Sequence, residues 1–368
     1  MKKKTVFVGM SGGVDSSVSA ALLKKKGYGV VGVFIKTWHP AFLECNEEEE
    51  RRDVMQVAAH LDIQFLTFDF EDVYKKEVAD YMIAEYKAGR TPNPDVMCNK
   101  HVKFGAFLNK ALSMGADFVA TGHYTQNSNL SLLKAKDSSK DQSYFLWTLN
   151  QKQLSRIIFP VGNLNKSEVR VLAKKFKLPV AEKKDSQGIC FLGQVDLKEF
   201  LKHYIKEKKG KVVLASYTKS EKREVIGYHD GAVFHTLGER HGFTITKKTP
   251  NDGAYYIVSK DVKKNILIVS QDKNLRNFDI LSFKYKKDKE THETFNSSNF
   301  HLRIENTNWI NDIPKSDKNY TCQVRYHGEF LPCKINIKDK IKAEGFEYSR
   351  KTEVILEKYS LVAKGQSI

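Results

Sequence analysis

The stretch that most constrains this chain lies near its start, where the apolar run Val6-Phe7-Val8 leads straight into Gly9-Met10-Ser11-Gly12-Gly13-Val14-Asp15-Ser16-Ser17. A buried strand, a turn of small residues and a helix start follow one another at once. A glycine pair lets the backbone approach an anion closely, and the N–H groups opening the next helix are free to point at phosphate oxygens. Ser11, Ser16 and Ser17 add hydroxyl donors. No Gly-Lys-Ser/Thr follows and the spacing is not GxGxxG, so neither the lysine-bearing phosphate loop nor the dinucleotide loop fits. The plainer alternative is a tight turn with Asp15 or Ser16 capping the helix. The match of so many positions at a strand-to-helix junction favours a phosphate site.

Up to about residue 200, short apolar runs alternate with helix-period segments, as in a parallel sheet with crossover helices. Strands are predicted at Thr5–Gly9, Val30–Ile35, Gln64–Phe68 and Phe118–Thr121, and helices at Ser16–Lys26 and Arg51–Leu61. Residues 202–224 turn Lys-rich, including Lys219, Lys222 and Arg223, and read as a boundary or linker. Beyond them helices nearly vanish. Ala232–Thr236, Ala254–Ser259 and Ile266–Ser270 read as strands of a small module. Phe278–Tyr285, Phe300–Ile304, Cys322–Tyr326, Pro332–Ile337 and Glu353–Glu357 alternate as barrel or sandwich strands do, with a polar loop at Lys286–Asn299. The expected organisation is an α/β, Rossmann-like domain at 1–201, a central β-rich module at 202–272 and a β-barrel at 273–368.

Charge and cysteine usage narrow the function. Lys plus Arg less Asp plus Glu is 61 − 44 = +17, which favours a polyanionic partner, nucleic acid first. The five cysteines are scattered and form no CxxC, so neither a disulfide scaffold nor a dedicated metal site is expected. A reducing cytoplasm fits. The Lys2-Lys3-Lys4 start precedes too short an apolar run for a signal peptide, and no stretch is long enough for a membrane span.

Two cysteines stand in unusual company. Gly89-Arg90-Thr91-Pro92-Asn93-Pro94-Asp95-Val96-Met97-Cys98-Asn99 reads as a proline-stiffened loop, and Asp185-Ser186-Gln187-Gly188-Ile189-Cys190-Phe191 as a Gly-containing turn. Reactive thiolates need access and a polar neighbourhood, which both segments offer. Cys45, Cys322 and Cys333 read as small buried hydrophobes. Were a carbonyl oxygen adenylated, as the resemblance named next implies, it would become a leaving group that sulfur can displace. One thiol can carry sulfur as a persulfide, and the other can attack it, leaving a disulfide. Asp95 is either an acid/base group or a turn-stabilising residue.

The string SGGVDSS resembles the pyrophosphate loop of the N-type ATP pyrophosphatases. Together with AEYKAGRTPNPDVMCN (Ala84–Asn99), ATGHY (Ala120–Tyr124), KDQSYFLW (Lys140–Trp147) and KDSQGICF (Lys184–Phe191), it is similar to the bacterial and organellar tRNA-specific 2-thiouridylases. Echoes continue at His235–Gly242, Val324–Gly328 and Gly365–Ser367. The resemblance implies ATP held by Gly9, Met10, Ser11, Gly12, Gly13, Val14, Asp15, Ser16, Ile35 and Gly122, with Mg²⁺ accompanying it. It implies a flipped uridine facing Asn93, Pro94 and Asp95, with Cys98 as nucleophile and Cys190 as persulfide carrier. His123, Lys140, Asp141, Gln142, Arg325, Tyr326 and Gln366 would contact tRNA.

Some positions depart from the family pattern. Gln187 stands for a usual threonine, Ile35 for a common methionine and Lys364 for proline; Trp38–Asn46 is divergent. The chain stops at Ile368, short of a strand pair common in the family, so closure of the last barrel is expected to differ. The implied activity is ATP-dependent 2-thiolation of the wobble uridine of tRNAs for Lys, Glu and Gln. A cysteine desulfurase or relay protein would supply sulfur, and a reductant would reopen the Cys98–Cys190 disulfide. The rival readings are an amide-forming adenylating ligase using ammonia, which needs no cysteine pair, and a non-catalytic tRNA-binding protein.

Overall fold

The computed structural model describes residues 3–43, 46–185, 196–215, 224–272, 300–343 and 346–357, with 360, 362, 363 and 365–367. Cys190 and Gln187, Cys45, residues 216–223, Lys364 and Ile368, and the strand and loop expected over 278–299 lie outside the described residues.

β1 (Thr5–Met10), α1 (Val14–Lys25), β2 (Gly29–Lys36), α2 (Glu47–His60), β3 (Gln64–Asp69) and β4 (Phe118–Ala120) begin the first domain. A fifth strand, Ile157–Ile158, completes a parallel sheet in the order β3-β2-β1-β4-(Ile157–Ile158). Alternation along β1 explains why both faces are covered. Val6, Val8 and Met10 enter one core beneath α1, whereas Phe7 enters a second with Phe68, Phe104 and Phe107. In this order β1 and β4 pair side by side while the connections leaving them run toward opposite edges of the sheet, which places a crevice at their carboxyl ends.

Between β3 and β4 the chain is helical in two stretches. Glu71–Tyr74 continues through π-helical turns at Lys75–Asp80 into Tyr81–Lys87, and Pro94–Met97 continues through Cys98–Phe107 into Leu108–Ser113. Tyr74, Met82, Val102 and Phe200 join them in a third core, to which Phe234 of the next domain also belongs.

The second sheet runs Thr244–Ile245, Val225–His229, Gly210–Leu214, Ile266–Ser270, Tyr256–Asp261. The run Ala232–Thr236, expected as a strand, instead holds a 3₁₀ turn at Ala232–Phe234, entered through Gly231 at φ 155°. A backbone at that φ suits glycine and breaks a ladder. The third sheet orders Phe300–Ile304, Phe346–Leu356, Leu331–Ala343 and Tyr320–Cys322. The strand expected at Cys322–Tyr326 begins two residues earlier and stops at Cys322; His327 turns at φ 57° inside a loop.

Phe107 is fully buried against Gly9 and Phe68. Phe107→Ala should cost about 3–5 kcal/mol and lower the urea midpoint of the transition that reports on the first domain.

Candidate active site

The turn after β1 forms as its glycines allow. Gly12 has φ 71°, and a Cβ there would lie 2.8 Å from the Glu50 carbonyl oxygen. Gly13 is the N-cap of α1 in extended geometry. The plainer alternative, a helix capped by Asp15 or Ser16, is not what forms. Both fall within its first turn, where Ser16 and Ser17 hydroxyls donate back to the Gly13 carbonyl at 3.2 and 2.8 Å. The N–H of Ser11 donates to Ser16 Oγ at 3.3 Å. Among the described residues no side chain takes up the first-turn N–H groups of α1. Opposite them, Gly122 follows β4 so closely that a Cβ would sit 2.7 Å from the Ser16 nitrogen. The result is a backbone cradle at the crevice, with unfilled donors and helix polarity that suit an anion. Ile35, from β2, lies beside Gly9, 3.4 Å from where a Cβ would be.

Charged side chains surround this cradle in compensated pairs. Lys166 Nζ binds Asp15 at 2.7 Å and Asp185 at 2.8 Å. The Tyr124 hydroxyl donates to Asp15 at 2.7 Å. Asp185 also binds Arg170 at 2.5 Å and Lys140 at 3.2 Å, and Lys183 binds Asp53 at 2.5 Å. Partial burial alone would raise the Asp185 carboxyl, but hydrogen bonds and charge from Lys166 and Lys140 outweigh it and hold it down to about 2. Burial, then Asp15, raises the Tyr124 phenol far above its usual range, which keeps it a donor.

The Gly89–Asn99 segment folds from its ends inward. Gly89 turns at φ 73°. Asn93 accepts from the Val96 N–H at 3.2 Å, and Pro94 occupies the first helical turn, where its missing N–H costs nothing. That cap corrects the reading of Cys98 as a loop residue. It opens the π-helical stretch and is 4% exposed, within the core that includes Val102 and Phe200. Burial raises the Asp95 carboxyl, with Lys103 opposing. Asn99 is 2% exposed; its Nδ2 donates to the Phe145 carbonyl at 3.2 Å, whereas its Oδ1 is buried without a hydrogen-bond partner.

All three domains meet at this segment. Thr91 Oγ1 lies 3.0 Å from Thr236 Oγ1 of the central domain. At Gly365, φ 83°, an added Cβ would meet Arg90 Cβ at 3.1 Å and the Thr91 carbonyl at 3.2 Å. The Tyr326 ring sits 4.4 Å from the Phe145 ring, and the Tyr144 hydroxyl donates to the Ser367 carbonyl at 2.9 Å.

The residues expected to touch tRNA divide into groups. Arg325 and Tyr326 lie on the loop after Cys322, where an Arg325 N–H donates to the Leu237 carbonyl at 2.5 Å. Gln366 accepts from the Ala363 N–H at 3.0 Å, near the Arg90 wall. Lys140 faces Asp185, Asp141 ties down Ala135 and Ser143, and Gln142 accepts from the Tyr124 N–H at 2.9 Å. His123 departs from expectation. It is buried beside Phe104 and Phe159, bonded to Thr121 Oγ1 at 2.7 Å, and burial drives its pKa well below the usual value. A neutral ring in a core offers no charge to a phosphate in this arrangement. Sequence reading missed Lys166, Arg170 and Phe145: the first two sit in an ordinary amphipathic helix, Lys166–Lys175, and nothing local marks the aromatic as an interdomain contact.

Because the folded Asp185 value lies below the ordinary 3.8, the stability it supplies is full above that value and is lost as pH falls toward 2. Asp185→Asn should lower the melting temperature at neutral pH, and its melting temperature should fall less steeply than the native chain's from about pH 4 to about pH 2.

Comparison with known proteins follows the same three parts. Residues 4–194 match the family described as tRNA methyl transferase HUP domain, 198–271 the tRNA methyl transferase PRC-barrel domain and 299–368 the aminomethyltransferase beta-barrel domain. The chain is 47% identical over 280 residues to tRNA-specific 2-thiouridylase MnmA 1 of Geobacillus kaustophilus, covering 74% of each protein. It is 40% identical over 344 residues to tRNA-specific 2-thiouridylase MnmA of Enterococcus faecalis, covering 92% of this chain and 86% of that one. Among solved structures, the U34-tRNA thiolase NcsA of Methanococcus maripaludis is 18% identical with a TM-score of 0.36, covering 55% of this chain and 68% of that one.

Proposed function

This chain belongs to the tRNA-specific 2-thiouridylases, and we propose that it thiolates its tRNA uridine with the residues gathered around the Gly89–Asn99 segment. Its activity is that of a tRNA-uridine 2-sulfurtransferase using ATP. One observation carries the assignment of residues: the strand that leads into the phosphate cradle touches the helical stretch opened by Cys98, since Gly9 rests on Phe107 of that stretch.

ATP binds as a substrate with its phosphates at the first turn of α1, between Gly12-Gly13 and Gly122, and with its base near Ile35. Asp15, a hard oxygen donor at the cradle, suits the Mg²⁺ that travels with the nucleotide and that neutralises phosphate charge when bound. Lys166, Arg170, Lys140 and Lys183 supply positive charge for the departing diphosphate.

The uridine enters beside Asn93, Pro94 and Asp95. A wobble base is unpaired, so extrusion costs little. Asp95, whose carboxyl is raised by burial, takes the N3 proton as the C2 oxygen attacks the α-phosphorus and diphosphate leaves. Sulfur reaches Cys190 from a cysteine desulfurase or a relay protein. Cys98 thiolate attacks the inner sulfur of that persulfide, closes a Cys98–Cys190 disulfide and expels hydrosulfide. Hydrosulfide adds at C2, AMP leaves with the C–O bond, and Asp95 returns the proton. An external dithiol then reduces the disulfide. Arg325, Tyr326, Gln366, Lys140, Asp141 and Gln142 line the approach for the anticodon loop of tRNAs for Lys, Glu and Gln, and the +17 balance supplies backbone attraction.

The test is mass spectrometry of anticodon nucleosides after incubation with tRNA, ATP, Mg²⁺ and a persulfide donor. The native chain should form 2-thiouridine, and Cys98→Ser and Cys190→Ser should form none while still releasing diphosphate; a Cys98→Ser product at native yield would remove the assignment. Asp95→Asn should slow thiolation about 10²–10⁴-fold and abolish the rise of rate with pH through a carboxyl ionisation above the usual aspartate range. Gly122→Ala fills the cradle with a methyl group and should block ATP-dependent diphosphate release.

A further inference from the structure

The third domain holds a pair of cysteines that the thiolation chemistry does not use. The register sets Cys322 opposite Leu331 and Cys333 opposite Tyr320. Side chains alternate with period two along a strand, so the four residues share one face and the cysteines are diagonal neighbours across it. Both contribute to one apolar cluster with Val324, Leu331 and Val354. Neither is in a disulfide. Cys333 is buried and Cys322 half-buried, so an incoming reagent meets Cys322 first.

Their position gives the pair something to control. Between the two residues runs a loop that helps fasten the third domain to the other two: Arg325 holds the Leu237 carbonyl, Tyr326 lies on Phe145, and the Val324 carbonyl accepts from Tyr144 at 3.4 Å. Among the described residues, Tyr320–Cys322 is a short edge strand with a single neighbour in its sheet. Diagonal Cα atoms stand about 7–8 Å apart, whereas a disulfide brings them to about 4.4–6.8 Å. Bridging therefore draws the edge strand inward, and the loop continuing from it moves as well.

We infer that Cys322 and Cys333 form a reversible dithiol–disulfide site whose closure shifts the docking loop between them. The oxidant is a small-molecule disulfide. Cys322 thiolate attacks one of its sulfurs, the S–S bond breaks and one small thiol leaves. Cys333 then gives up its proton and attacks Cys322 sulfur, expelling the second small thiol. Two protein thiols are oxidised to one disulfide, and one small disulfide is reduced to two thiols. The division of labour agrees with the shared hydrogen bond, which pulls the Cys322 thiol down and pushes the Cys333 thiol up.

The full chain is equilibrated in mixtures of reduced glutathione and glutathione disulfide, its remaining thiols are alkylated, and unreduced peptides are analysed by mass spectrometry. In parallel, amide hydrogen exchange is followed across residues 323–330. A Cys322–Cys333 crosslink that grows with the disulfide fraction, vanishes with dithiothreitol and changes exchange in the loop severalfold is the expected result. Cys322→Ser and Cys333→Ala should each lose both the crosslink and the response of the loop. Alkylation of both thiols throughout, capture of glutathione on Cys322 without a crosslink, or a crosslink that leaves loop exchange unchanged would overturn the inference. These readouts need neither tRNA nor ATP, so they stand or fall apart from the thiolation mechanism.

Discussion

The architecture of the first domain turns on one close approach, that of the Gly122 backbone to the opening turn of α1. A helix start leaves several N–H groups without internal partners, and burying them empty is costly. Here no side chain among the described residues satisfies them, because Gly13 is the cap and the nearby serines bond backward to its carbonyl. The parallel order β3-β2-β1-β4 places this opening at the switch point between β1 and β4. What looks like an incomplete cap is therefore an opening suited to an anion, and the two glycines beside it keep it clear.

A second dependence is interdomain. The segment from Gly89 to Asn99 is stiffened by two prolines and by the Asn93 cap, yet its outer wall comes from elsewhere: Thr236 of the central domain, and Tyr326 and Gly365 of the third. A small pyrimidine needs enclosure, and a tRNA needs surface well beyond the base. On the proposed reading, one stiffened segment touched by both other domains would offer both. The buried Oδ1 of Asn99, unpartnered beside Phe145, belongs to the same wall.

How much of this the sequence disclosed depended on the range of the interaction. Strands β1 to β4 were readable because apolar runs and glycine breaks are local, and they fell within a residue or two of expectation. Asp95 and Cys98 were readable because prolines and an acid flank them. Burial was not. Cys98 looked exposed in a loop, but one Asn93 side chain and Pro94 start a helix that carries it into a core. His123 follows a strand like many surface histidines, and only Phe104 and Phe159, distant in sequence, bury it. The run after Cys322 alternates like a strand, but the chain leaves the ladder there for a turn closed by the Gly328 N–H on the Arg325 carbonyl, with His327 at positive φ inside it.

The carboxylates around the cradle have a further effect. Asp15, Asp53 and Asp185 act as resident counterions for Lys166, Lys183, Arg170 and Lys140. Left bare, four cations about one opening would repel one another and strain the empty protein. Held in pairs they are already compensated, so on the proposed placement of the nucleotide its loading would be an exchange of anionic partners. The acids set loose by that exchange would then be at hand for the divalent ion that the same proposal pairs with the nucleotide.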